Sequence, residues 1–177
     1  MNAADRARSV RPLAAHEWPL YRSLRLRALA DAPAAFGSTL AAEQDRADED
    51  WAWRLGLAAS SGRDHPLVAE VGGVAVGLAW AKFDPNEAQL VNLFQMWVAP
   101  EARGCGVAAA LLDEALAWAR SRKARTLQLG VMCGNDAARR LYERAGFVAF
   151  GAPEPARPGD PRLEQMMRLA LQTSPHS

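Results

Sequence analysis

The sequence predicts a mixed α/β domain: one central sheet of about seven strands with helices on both faces. Three observations carry that expectation. Apolar periodicity switches between the extended and the helical kind along the chain, in the order β-α-α-β-β-β-α-β-α-β-β. The length of 177 residues suits a single domain with a real core. Hydrophobic residues make up 50% and charged residues 23%, which excludes a disordered chain.

Each element has a local reason. Residues 1–8 read as a flexible polar leader, 9–171 as one domain and 172–177 as a flexible tail. Ser9 to Leu13 is a short strand, ended by Pro12 and the turn after it. Glu17 to Ala30 is a helix, with Leu20, Leu24 and Leu29 near helical spacing and arginines between them. Pro33 and Gly37 stop it. Thr39 to about Ala59 is a second helical region, with Trp51, Leu55 and Ala58 as its apolar stripe. Pro66 to Val71 and Val74 to Phe83 form a hairpin, because Gly72-Gly73 supplies the two positive φ angles of a tight turn. Leu90 to Val98 is a strand closed by Pro100. Gly106 to Arg122 is a helix, Thr126 to Val131 a strand, Asn135 to Ala145 a helix and Phe147 to Phe150 a strand. Pro153 to Pro161 is a loop, and Arg162 to Leu171 a last strand.

Composition removes several function classes. Lys plus Arg is 21 and Asp plus Glu is 20, a formal net charge of +1, so a nucleic-acid partner is not expected. Two cysteines, Cys105 and Cys133, form neither a disulfide framework nor a Cys-x-x-Cys pair, and no metal is expected. No stretch approaches the ~18 apolar residues of a membrane span. The N-terminus has no secretory pattern. The expectation is a cytoplasmic protein with no membrane partner.

The chemistry concentrates after the Leu90–Val98 strand. There a loop, Pro100-Glu101-Ala102-Arg103-Gly104-Cys105-Gly106, leads into a helix beginning near Val107. Glycines let a backbone approach an anion closely. The unpaired N–H groups and dipole of a helix start favour negative charge, and Arg103 adds a charge-assisted contact. No Gly-Lys-Ser/Thr follows, so this is not the Walker loop. Position 109 is Ala and no matching acidic residue follows a second short strand, so it is not the dinucleotide fingerprint either. A phosphate or pyrophosphate site, or a tight turn that binds nothing, both fit these residues.

Arg103-x-x-Gly106-x-Ala108 resembles the acyl-CoA pyrophosphate motif of the GNAT superfamily of N-acetyltransferases, and Val98 to Gly104 resembles its approach. Downstream, Asn135-x-x-Ala138-x-x-x-Tyr142-x-x-x-Gly146-Phe147 resembles the second motif of that family. The resemblance is strong from about Leu90 to Phe150. It implies a sheet splayed between two central parallel strands, here Leu90–Val98 and Thr126–Val131. It implies acetyl-CoA as co-substrate, its arm beside Trp97 and Val98 and its pyrophosphate on the backbone of Arg103, Gly104, Cys105, Gly106, Val107 and Ala108. By the same resemblance Asn135 bonds the arm, and Tyr142 protonates the departing thiolate.

The implied activity is direct transfer of acetyl to an amine, most simply that of a small molecule. A protein N-terminus and a non-catalytic acyl-CoA-binding module are the alternatives. Phe36, Trp80, Phe83, Asn92 and Trp97 are candidates to line the acceptor pocket, with core packing as the competing role of the aromatics. Arg25 and Arg27 either read an acidic acceptor or are solvated helix charges. Histone-type members carry a Glu at the position of Asn92, so a direct carboxylate base is in doubt; Glu87, Asp84 or water substitutes. Cys105 fills a variable motif position and reads as a spectator, and Cys133 as buried or a spectator. His16, His65 and His176 share no spacing. Asp31 to Thr39 resembles a loop of small bacterial members, which does not fix a substrate. Many relatives are dimers, so a homodimer stays open.

Overall fold

The computed structural model describes residues 7–171. In chain order the elements are β1 (Arg8–Pro12), α1 (Trp18–Asp31), α2 (Leu40–Gln44), α3 (Asp48–Ser61), β2 (Asp64–Val71), β3 (Val74–Phe83) and β4 (Leu90–Val98). They continue with α4 (Val107–Ser121), β5 (Thr126–Met132), α5 (Asp136–Arg144), β6 (Val148–Ala149), β7 (Glu154–Pro155) and β8 (Leu163–Ala170). Arg8, assigned to the leader by the sequence, opens β1; residues 1–6 and the expected tail lie outside the described residues.

The strands form one eight-stranded sheet in the order β1-β2-β3-β4-β5-β8-β6, with β7 also on β8. All pairs are antiparallel except β4 with β5. The additional strand is β7, inside the stretch expected to be loop. Two residues long and carrying Pro155, it sits at a sheet edge, where a missing N–H costs no ladder bond.

The helical region expected from Thr39 to Ala59 is two helices. Thr39 caps α2, its hydroxyl accepting from Ala42 N–H at 3.1 Å. Asp48, Glu49 and Asp50 then open α3, where three acidic residues complement a helix N-terminus better than they suit a helix interior. Glu43 of α2 is buried and bridges the two helices, accepting from Arg46 and Arg54.

Helices cover both faces of the sheet. On one, Tyr21 of α1 packs between Trp51 of α3 and Trp80 of β3, with ring centroids 5.6 and 5.3 Å away. On the other, α4 lies so close to β3 that a Cβ on Gly77 would stand 3.2 Å from Leu111. Trp118 of α4 packs there on Phe83 and stacks with His65. Burying each such large apolar side chain is worth about 1.5–3 kcal/mol. Among the described residues no helix is long and apolar enough to cross a membrane.

Candidate active site

The two parallel strands separate partway along their length. Leu90 to Leu93 pair with Thr126 to Leu129. Beyond that point β4 pairs only with β3, and β5 only with β8. A bulge in β4 begins the separation: Gln95 has φ 59° and adds a residue opposite β3. Tyr21 fixes it, donating its hydroxyl to Gln95 Oε1 at 2.7 Å. The gap opens into a cleft of about 1160 Å³.

At one end of the cleft is the turn from β4 into α4. Gly104 and Gly106 have φ 78° and 77°, and their reversal leaves a run of backbone N–H groups unpaired. Among the described residues, the N–H groups of Gly104 through Ala109 find no acceptor; the first internal bond of α4 is Ala110 N–H to Gly106 O. Arg103 is anchored beside them, donating from Nε to Val98 O at 3.1 Å and pairing with Asp31. Asp31, the last residue of α1, also accepts from the Trp97 indole at 3.0 Å. The Trp97 indole first, and Arg103 next, hold its carboxyl below the ordinary carboxylate range. Trp97 is buried, Val98 and Cys105 are half-buried, and Val107 points into the core, so Val107 offers only its backbone to the loop.

Alternation shows which way β4 faces. Ala99 N–H bonds Val76 O of β3 at 2.7 Å, so the Val98 N–H and carbonyl point the other way, into the opening. The Arg103 bond to the Val98 carbonyl agrees. Asn135 caps α5, its Oδ1 accepting from Ala138 N–H at 3.3 Å, and it lines the cleft. Tyr142 also lines the cleft, edge-on to Phe147 at 5.8 Å. It is 5% exposed, and burial pushes its hydroxyl pKa up to about 12.

Of the expected acceptor-side residues, Phe36 and Asn92 line the cleft and Trp80 does not. Trp80 belongs to the aromatic core on Tyr21, its indole donating to Asp64 at 2.9 Å. Phe83 faces α4 instead. Asn92 is fully engaged, donating to Asp84 and accepting from Gln128 at 2.7 Å. Asp84 is held below its ordinary range by Asn92 and by backbone N–H groups, and neither it nor Glu87 borders the cleft. Cys133 is exposed rather than buried.

Two side chains that the sequence reading passed over stand at the site. Glu164 of β8 lines the cleft with no hydrogen bond or ion pair to its carboxyl among the described residues, and burial raises its pKa. It fits there because the neighbouring position on β5 is Gly130, where a Cβ would collide with the Glu164 carboxyl. Arg8 of β1 donates to the Cys105 carbonyl, and its guanidinium fills the space beside Gly106. Neither has a local signal, because each depends on strand register across the sheet.

Comparison with known proteins adds three likenesses and a family match. The model of the acetyltransferase (GNAT) family matches residues 23–147. A mycothiol acetyltransferase of Thermobispora bispora is 33% identical over 132 residues, 72% of this chain and 42% of that protein. The chain thus spans about two fifths of the length of this curated relative. A ribosomal-protein-alanine N-acetyltransferase from Brucella melitensis superposes with a TM-score of 0.76 at 27% identity, over 92% of this chain and 99% of that one. A putative acetyltransferase from Salmonella typhimurium, solved with its cofactor acetyl-CoA, superposes at 0.77 and 19% identity over 97% and 96%.

Proposed function

The chain belongs to the acetyltransferase (GNAT) family, and from that membership we propose that it moves an acetyl group from acetyl-CoA directly to the amine of a small molecule. One observation carries the reading: six consecutive N–H groups, unpaired among the described residues, stand at the end of a cleft that runs between two diverging parallel strands. The N–H run, at the start of a 15-residue helix, suits a pyrophosphate. The free edge of β4 beside Val98 suits an amide-bearing arm, and the Asn135 side chain faces the same cleft. The Salmonella typhimurium neighbour with acetyl-CoA supports that fit.

The chain's own groups then divide the work. An alkyl ammonium has a pKa of about 10.4, so the acceptor must lose a proton before attack. Glu164 takes it, directly or through water; its half-burial makes it a stronger base than an exposed carboxylate. The amine nitrogen bonds the acetyl carbonyl carbon, the carbon–sulfur bond breaks, and the pair leaves on sulfur. The Val98 N–H faces the oxyanion that develops. Tyr142 gives its proton to the sulfur and is reprotonated, through water, by the proton that the new amide nitrogen sheds; its raised pKa keeps the proton in place until the thiolate calls for it. Cys105 takes no part in this direct route. The Brucella melitensis relative makes a protein N-terminal amine the second acceptor class.

Thermal unfolding tests the co-substrate. Acetyl-CoA at a hundred times its Kd adds about 2.7 kcal/mol and raises the midpoint by a few degrees, with ATP as the inert control. No shift at saturation sinks the reading. For the acid, Tyr142→Phe is expected to lower kcat about a hundredfold with acetyl-CoA affinity unchanged. Unaltered kcat removes Tyr142 from the mechanism, and intact binding without turnover by the wild-type protein favours a non-catalytic module.

A further inference from the structure

Arg25 lies in the middle of α1 and is 5% exposed, yet its NH1 has no hydrogen-bond partner among the described residues. The Phe36 ring lies against it, 4.8 Å from the guanidinium carbon to the centroid. A guanidinium cannot discharge itself at any working pH, so burial without an anion is costly. The nearby Glu43 carboxylate attracts it but makes no hydrogen bond to it among the described residues. Glu43 accepts from Arg46 at both oxygens, and Arg54 shares Oε2. Three arginines therefore surround one committed carboxylate.

Arg25 and Phe36 both border the cleft. Asp31, which holds Arg103 at the pyrophosphate end, is six residues further along α1, ~9 Å at 1.5 Å per residue. One turn in the other direction, Tyr21 holds the Gln95 bulge where the strands part. Arg25 thus faces the part of the cleft left for the acceptor. Arg46 and Arg157 also border the cleft, but each already has a carboxylate, Glu43 and Asp160, so Arg25 is the one without an ion pair among these three.

We infer that Arg25 receives a carboxylate carried by the acceptor itself, so that the substrate is an amine bearing a carboxylate, of the amino-acid kind, rather than a polycation. This rests on the acetyltransferase reading of the cleft. The planar guanidinium pairs two parallel N–H donors with a carboxylate, and Phe36 holds the fork flat from one side. Arg27, the other candidate for reading an acidic acceptor, is exposed and already paired with Glu101.

The test uses product-like probes on the full chain saturated with CoA. N-acetylglycine carries the amide and the carboxylate; N-methylacetamide carries the amide alone; inorganic phosphate is a second oxyanion at equal ionic strength. N-acetylglycine is expected to raise the unfolding midpoint of the wild-type protein by a few degrees, and N-methylacetamide and phosphate to leave it in place. Arg25→Gln should weaken N-acetylglycine about tenfold or more while acetyl-CoA still stabilises the variant. Arg25→Lys, which keeps the charge and loses the fork, serves if the Gln variant does not fold, and should also bind more weakly. No N-acetylglycine effect, an equal effect in wild type and variant, or a preference for phosphate overturns the assignment. Failure of acetyl-CoA to stabilise the wild-type protein strikes the acetyltransferase reading instead.

Discussion

Glu164→Gln is expected to lower kcat/KM for the amine acceptor by about two to three orders of magnitude, the range of a lost general base. The substitution keeps shape and removes only proton affinity. Because burial raises the Glu164 pKa, the acidic limb of the wild-type kcat/KM profile should lie above the ordinary carboxylate range. Activity rises with pH as Glu164 loses its proton and becomes able to accept another. In the Gln variant that limb should vanish, leaving only the titration of the acceptor amine. Binding of acetyl-CoA should not change, since the substitution leaves the N–H groups at the α4 N-terminus untouched. A variant with wild-type kcat/KM and an intact acidic limb would return the base to water.

Gly130 belongs to the same device. Its missing side chain makes the room that the Glu164 carboxyl occupies. The β5–β8 register sets Gly130 opposite Met166 and Met132 opposite Glu164, so the contact crosses diagonally between strands. No local pattern announces such a pair. The hairpin at Gly72-Gly73, the Arg103–Ala108 loop and the Asn135–Tyr142 helix were legible because each is a local event: a turn type, a strand-to-helix switch, a cap. The same holds for the stripe of Trp51, Leu55 and Ala58, which is buried as its spacing implies.

What was not legible depends on register or on the third dimension. Trp80 and Phe83 are three residues apart on β3 and face opposite sides of the sheet, so neither lines the cleft. The Gln95 bulge arises where β4 must follow β3 while leaving β5, a conflict that only the assembled sheet contains. Arg25 sits among Arg22 and Arg27 and looks like one more solvated charge, yet it is the buried one. It lies on the stripe of Tyr21, Leu24, Ala28 and Leu29, whereas Arg27 falls on the opposite, exposed face of α1.

Gly106→Trp is expected to abolish stabilisation by acetyl-CoA, a loss of at least the ~2.7 kcal/mol that a hundredfold excess over Kd supplies. Two effects combine. The position has φ 77°, which costs a side-chain-bearing residue about 1–2 kcal/mol, and the Arg8 guanidinium already occupies the nearest space. The indole therefore turns onto the run of N–H groups or drives Arg8 off the Cys105 carbonyl. Gly104→Ala separates strain from obstruction. Its φ of 78° is nearly the same, but an added Cβ meets nothing within 4 Å. Both variants should unfold at lower temperature than the wild-type protein, and only Gly104→Ala should regain several degrees when acetyl-CoA is added. Equal recovery by both would mean that the pyrophosphate does not rest on the α4 N-terminus. Loss in both would make the backbone conformation of the loop, rather than the open space beside Gly106, the property on which binding depends.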